Sequence, residues 1–160
     1  MDHVDGIIAE WQRERPDLDV SPIGIIGRLH RLAATLTDEL TEVYRKHGLG
    51  EGEFDVLAAL RRAGEPFERA PGDLANHTMV TTGAMTKRVD RLEAAGLVTR
   101  RPSADDGRGR VVALTAKGRE TIDRAFEAHI ANEQRLVGML DPADRAALEP
   151  ILRVWLQELG

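Results

Sequence analysis

The chain contains no cysteine, which removes disulfides, thiolate metal sites and cysteine nucleophiles together. That usage suits a reducing cytoplasm, the compartment expected here. Long apolar runs are missing too. The opening MDHVDGIIAEWQRERPDLDV starts acidic and stays mixed in charge, so neither a signal peptide nor a membrane-spanning segment is expected, and the protein should be soluble. There is no glycine-rich phosphate loop and no serine nucleophile motif, and the carboxylates and histidines form no recognisable cluster, so nothing marks a catalytic centre. His3, His30, His47, His77 and His129 lack ligand-like spacing; no metal and no cofactor is expected. Internal repeats and low-complexity segments are also absent.

What is present is an uneven distribution of charge. The 160 residues carry a formal net charge of -5, yet positions 81–110 carry +3 and leave -8 for the remainder. A chain of this length can bury a core without metals or disulfides, as one domain or two lobes. Net charge governs solubility and association, whereas a local basic surface is what meets a polyanion. On charge alone, a solvated basic helix would account for the stretch.

The order of elements says more. Ser21-Pro22 is a helix-start signal, and Ile26, Leu29, Leu32, Leu36, Leu40 and Val43 recur at helical steps until KHG ends the run. EGEFDVLAALRRAG predicts a second helix. EPFERA has room only for a small strand or turn, PGDLANH reads as a short helix broken around TMVTTG, and AMTKRVDRLEAAG reads as another helix, stopped at Gly96. LVTRR and RVVALT flank a polar loop containing Asp106-Gly107, a hairpin signal. Thr115 caps a long helix in which Ile122, Ala125, Phe126, His129, Ile130, Leu136, Val137 and Leu140 are spaced to bury one side. Asp141-Pro142 then opens a last helix with Leu148, Ile151, Leu152, Trp155 and Leu159 in a stripe.

A short helix, a tight connection, a second helix and an immediate hairpin make a winged helix-turn-helix. The expected fold is mainly α with a small β-hairpin wing. An α-helix fits the DNA major groove, where its exposed residues reach base edges and Lys and Arg meet phosphates. On the candidate reading helix Val80, Met85, Val89 and Leu92 point inward, leaving Thr81, Thr82, Thr86, Lys87 and Arg91 for the groove. Arg108 and Arg110 sit at the wing and suit a narrow minor groove. Order and spacing, rather than charge, favour double-stranded DNA as partner. A helical module that binds protein through the same fold is the alternative.

The run EFDVLAALRRAG, followed by PGDLANHTMVTTGAMTKRVDRLEAAGLVTRRPSADDGRGRVVALTAKG, resembles the DNA-binding core of the MarR family. The resemblance covers positions 51–118, with VDRLEAAGLVTRR, an acidic-basic wing and LTAKG as its specific parts. It implies a cytoplasmic bacterial repressor that binds pseudo-palindromic operators as a homodimer, without enzymatic activity. The division expected is 1–50 for N-terminal helices, 51–117 for the winged DNA-binding lobe and 118–160 for C-terminal dimerisation helices. The wing departs from the family pattern at Gly107, where an arginine is frequent, and Arg110 is the nearby basic residue left to compensate.

Roughly twenty residues precede the long helix, and Ile7, Ile8 and Trp11 fall at helical spacing. The run WQRERPDLDVSPIGIIGRLHRL resembles the urate-responsive branch of the same family. That resemblance implies an added N-terminal helix and a purine site on Trp11, Asp55, Arg88 and Arg100. An indole face suits a flat purine, guanidinium forks suit its negative charge, and Asp55 would oppose that charge. Taken one at a time, Trp11 reads as a packing residue, Asp55 as solvated surface, and Arg88 and Arg100 as phosphate contacts. Urate or xanthine is the ligand the resemblance implies, with a phenolic or other anion as the alternative.

Overall fold

The computed structural model describes residues 1–78, 82–102 and 109–160. The expected breaks at TMVTTG and at the wing tip, and with them Val80, Thr81 and Arg108, lie at least partly outside the described residues. The chain divides into two compact units, residues 1–42 and 43–160.

The first unit is built from α1 (His3–Glu14) and most of α2 (Ile23–Lys46). Asp2 starts α1 with a reciprocal cap: its carboxylate accepts from the amides of Val4 (2.8 Å) and Asp5 (3.1 Å), and Asp5 Oδ2 accepts from the Asp2 amide (2.8 Å). Arg28 of α2 reaches back to both carboxylates. Its guanidinium holds the Asp2 carboxyl below its ordinary range, while Asp5 is lowered first by the Asp2 amide and then by Arg28. Val4 is the residue this arrangement buries, against the bare backbone of Gly27, where an added Cβ would lie 3.3 Å from Val4 Cγ1. The helix begins at Ile23, one residue past Pro22, with Asp19 accepting from the Ser21 amide at 3.0 Å.

The second unit holds α3 (Glu51–Arg61), β1 (Glu68–Arg69), α4 (Pro71–Asn76), α5 (Thr82–Ala94), β2 (Val98–Pro102), β3 (Arg110–Leu114), α6 (Ala116–Val137) and α7 (Pro142–Leu159). The hairpin is antiparallel with Arg100 opposite Val112, and β1 adds a third strand to its other edge, giving the order β1-β3-β2. The core beneath it is formed by Val56, Leu57 and Leu60 of α3, Leu74 of α4, Val89 and Leu92 of α5, and Val112 of β3. In the helices these residues recur at three- and four-residue steps, so each helix contributes one apolar face; in β3, the central strand, Val111, Val112 and Ala113 are buried in succession.

The LTAKG signature has a mechanical reason. Thr115 Oγ1 donates to the Gly96 carbonyl (2.7 Å) and accepts from the Gly118 amide (2.9 Å), so one hydroxyl joins the end of α5 to the start of α6. Gly118 permits the approach: a Cβ there would fall 1.9 Å from the Leu97 carbonyl oxygen.

The apolar stripe expected to bury one side of α6 does so only in part. Ile122 and Ala125 are buried, but Phe126, Val137 and Leu140 are exposed, and the helix ends at Val137 rather than continuing to Leu140. α7 buries no residue at all. Periodicity identifies an apolar face; it does not say that the same chain covers it.

Candidate nucleic-acid interface

α5 is amphipathic in the sense needed for reading. Met85, Val89 and Leu92 are buried, leaving Thr86, Lys87 and Arg91 exposed on the other side. Thr82 is the first residue of the helix. Arg91 is 68% exposed, with a 3.4 Å contact to Glu53 Oε1, a weak pairing that leaves its guanidinium largely in solvent. Arg110 opens β3 and is exposed.

The residues of the expected ligand set occupy different settings. Trp11 lies on α1 and is 49% exposed, so it is not the core residue its spacing with Ile7 and Ile8 suggested. In the other unit, Asp55 lies on α3, Arg88 on α5 and Arg100 on β2, each half-buried.

The two arginines differ in what holds them. Arg100 is held by two carboxylates of α5: Nη2 donates to Asp90 at 2.5 Å, Nη1 donates to Glu93, and the Arg100 amide donates to Glu93 Oε1 at 3.1 Å. The Asp90 hydrogen bond, followed by that of Glu93, pushes the guanidinium further above its ordinary value. Arg100 therefore ties strand β2 to the reading helix. Arg88 lies across the first turn of α3, where a Cβ on Gly52 would fall 2.0 Å from its Nε, and its Nη1 is buried without a hydrogen-bond acceptor among the described residues.

Sequence reasoning missed three of these residues: Asp90, Glu93 and Gly52. Asp90 and Glu93 stand at i, i+3 on α5 and so share a helical face, a signal that was available. The choice of Arg100 as their partner depends on strand register, which was not. Among the described residues, no group of histidine and carboxylate side chains is arranged to hold a metal ion, and no helix is long and apolar enough to cross a membrane.

A reading helix with a buried apolar face and an exposed polar one, set beside a three-stranded sheet, defines a winged-helix DNA-binding protein. The sequence matches the MarR family over residues 47–109. It is 37% identical over 149 residues to the HTH-type transcriptional regulator PecS of Dickeya dadantii (strain 3937), spanning 93% of this chain and 90% of that protein. The chain belongs to the MarR family and is a transcription regulator rather than an enzyme. Among solved structures, a point mutant of E. coli MarR complexed with operator DNA has a TM-score of 0.72 at 29% identity, covering 87% of this chain and 99% of that one. BpsR of Bordetella bronchiseptica, whose DNA binding is regulated by 6-hydroxynicotinic acid, has a TM-score of 0.68 at 26% identity, covering 81% of this chain and 91% of that one.

Proposed function

We propose that the protein is a homodimeric repressor that leaves a pseudo-palindromic operator when it binds a small planar anion, with urate or xanthine as the favoured ligand. The observation that carries the DNA reading is the two-sidedness of α5, which exposes Thr86, Lys87 and Arg91 over buried Met85, Val89 and Leu92. Thr81, Thr82, Arg108 and Arg110 complete the proposed contact set, and the likeness to a MarR protein complexed with operator DNA supports the assignment. A dimer would present two reading helices to half-sites roughly one helical turn, about 10 base pairs, apart. Within this reading, residues 51–117 bind DNA and the flanking helices pair the chains.

The ligand reading rests on residue identity: Trp11, Asp55, Arg88 and Arg100 are the types that the urate-responsive branch requires. Two observations support it. Trp11 offers an exposed indole, and Arg88 carries a buried donor with no acceptor among the described residues, which an anionic oxygen would satisfy. The similarity to BpsR, regulated by a flat nitrogen heterocycle bearing an acid group, points to the same ligand shape. A ligand that releases DNA must bind the free protein more tightly than the complex, and couplings of about 1–3 kcal/mol correspond to roughly 5- to 150-fold weaker operator binding at saturation.

The test is an operator gel shift titrated with urate, xanthine and salicylate. Wild type should release operator with one of the purines, Trp11→Ala should hold operator normally but fail to release it, and Asp55→Asn should shift the release curve. Identical curves for all three proteins would remove this pocket. Release by salicylate alone would make the signal phenolic.

A further inference from the structure

The first turn of α3 contains a glycine whose missing side chain is occupied by another residue. A Cβ built on Gly52 would fall 2.0 Å from Arg88 Nε, 2.3 Å from Cζ and 2.7 Å from Cδ. These are the central atoms of the arginine head, so the overlap cannot be relieved by bending back a free tip. The same guanidinium keeps Nη1 away from water with no acceptor among the described residues. Gly52 and Asp55 are three residues apart on α3, hence on neighbouring positions of one helical face.

We propose that Gly52 is a positioning residue: the space left by its absent side chain is the seat that holds Arg88 of the reading helix against α3. The inference rests on the reading above in which Arg88 receives the anion, and adds what places Arg88 there. Glycine is a poor helix former because it loses more backbone freedom than alanine on folding. At the second position of α3 its use is accounted for by the guanidinium that occupies its side-chain volume. The seat serves two functions. It presents Arg88 on the face of α3 that carries Asp55, and it couples α3 to α5. Arg88 lies between exposed Lys87 and buried Val89, so the seat holds the same turn of α5 that carries part of the reading face. A planar fork fits such a slot better than a flexible ammonium, and an anion there gains two parallel donors.

The experiment is a double-mutant cycle on the full-length protein with Gly52→Ala, Arg88→Ala and the combination, read by urea unfolding and by urate-induced operator release. Cycles of this kind separate a direct coupling from two independent effects. Gly52→Ala alone should lower the urea midpoint and weaken urate response at least tenfold. In the Arg88→Ala background the same substitution should raise the midpoint, because only the gain in helix propensity remains, and should leave the residual urate response unchanged. Equal midpoint shifts in both backgrounds, or a normal urate response in Gly52→Ala, would overturn the seat. If wild type ignores urate and xanthine, the ligand reading fails separately, and the urea cycle still decides whether Gly52 seats Arg88.

Discussion

At the scale of single residues, Tyr44 offers the cleanest observable, because it is the only tyrosine in the chain. Its ring stacks on Phe54 with centroids 4.1 Å apart, and its hydroxyl lies 3.2 Å from His129 Nδ1. Burial, with the carboxylates of Glu133, Glu51 and Asp55 behind it, pushes the phenol up to about 12. A folded value raised above the unfolded one means that the stability it contributes is complete below about pH 10 and is lost as pH rises through about 12. Absorbance at 295 nm should therefore show one ionisation near pH 12 in the folded protein and near 10 in strong urea; a folded midpoint near 10 would mean that the ring is solvated. This cluster was not legible in the sequence, since Tyr44, Phe54 and His129 come from three helices and nothing in their spacing joins them. Trp11 shows the opposite limit. Its helical spacing with Ile7 and Ile8 was correct, but the side that α1 buries is set by Val4 over Gly27 and by the reach of Arg28 to Asp2 and Asp5, contacts that local periodicity does not encode.

At the scale of elements, the reading helix is tethered on both flanks by charge: Arg91 to Glu53 of α3, and Asp90 and Glu93 to Arg100 of β2. The helix, the strand run after Gly96 and the cap at Thr115 were all legible, because period, glycine stops and capping residues are local signals. Which arginines remain free for DNA was not, since that depends on pairings across elements. The consequence is measurable in the salt dependence of operator binding, where each neutralised phosphate contributes about 0.9 to the slope of log affinity against log salt. Lys87→Ala and Arg91→Ala should each lower the slope by about one in a dimer half-site. Arg100→Ala should leave it unchanged, because that charge already faces two carboxylates. An equal fall for Arg100→Ala would mean that the fork opens onto a phosphate when DNA binds, and unchanged slopes for Lys87→Ala and Arg91→Ala would misplace the reading face.

At the scale of the whole molecule, the apolar surface left over is what argues for two chains. Ile151, Val154, Leu156 and Leu159 of α7 are all more than half exposed, and a groove between the end of α6 and α7 is lined by Val137, Leu140, Leu148, Leu152 and Leu156. α2 adds Ile25 and Leu32 in its own unit, at 61% and 52% exposure. A chain that left these faces in water would carry apolar patches of the kind that mark interaction sites, and a second copy would cover them with closed symmetry. Ile151→Arg and Leu156→Arg test this without touching the winged lobe, because neither side chain is buried within its own chain. Burying a large aliphatic side chain is worth about 1.5–3 kcal/mol. A two-fold interface counts each substitution twice, so each should weaken association by roughly 10²- to 10⁴-fold at about 1.4 kcal/mol per decade. Sedimentation equilibrium should show wild type as a dimer at micromolar concentration and the variants as monomers with unchanged helical circular dichroism. Operator affinity should fall with them, since a monomer meets only one half-site. Monomeric wild type, or variants that stay dimeric, would mean that α7 is covered by something other than a second copy of this chain.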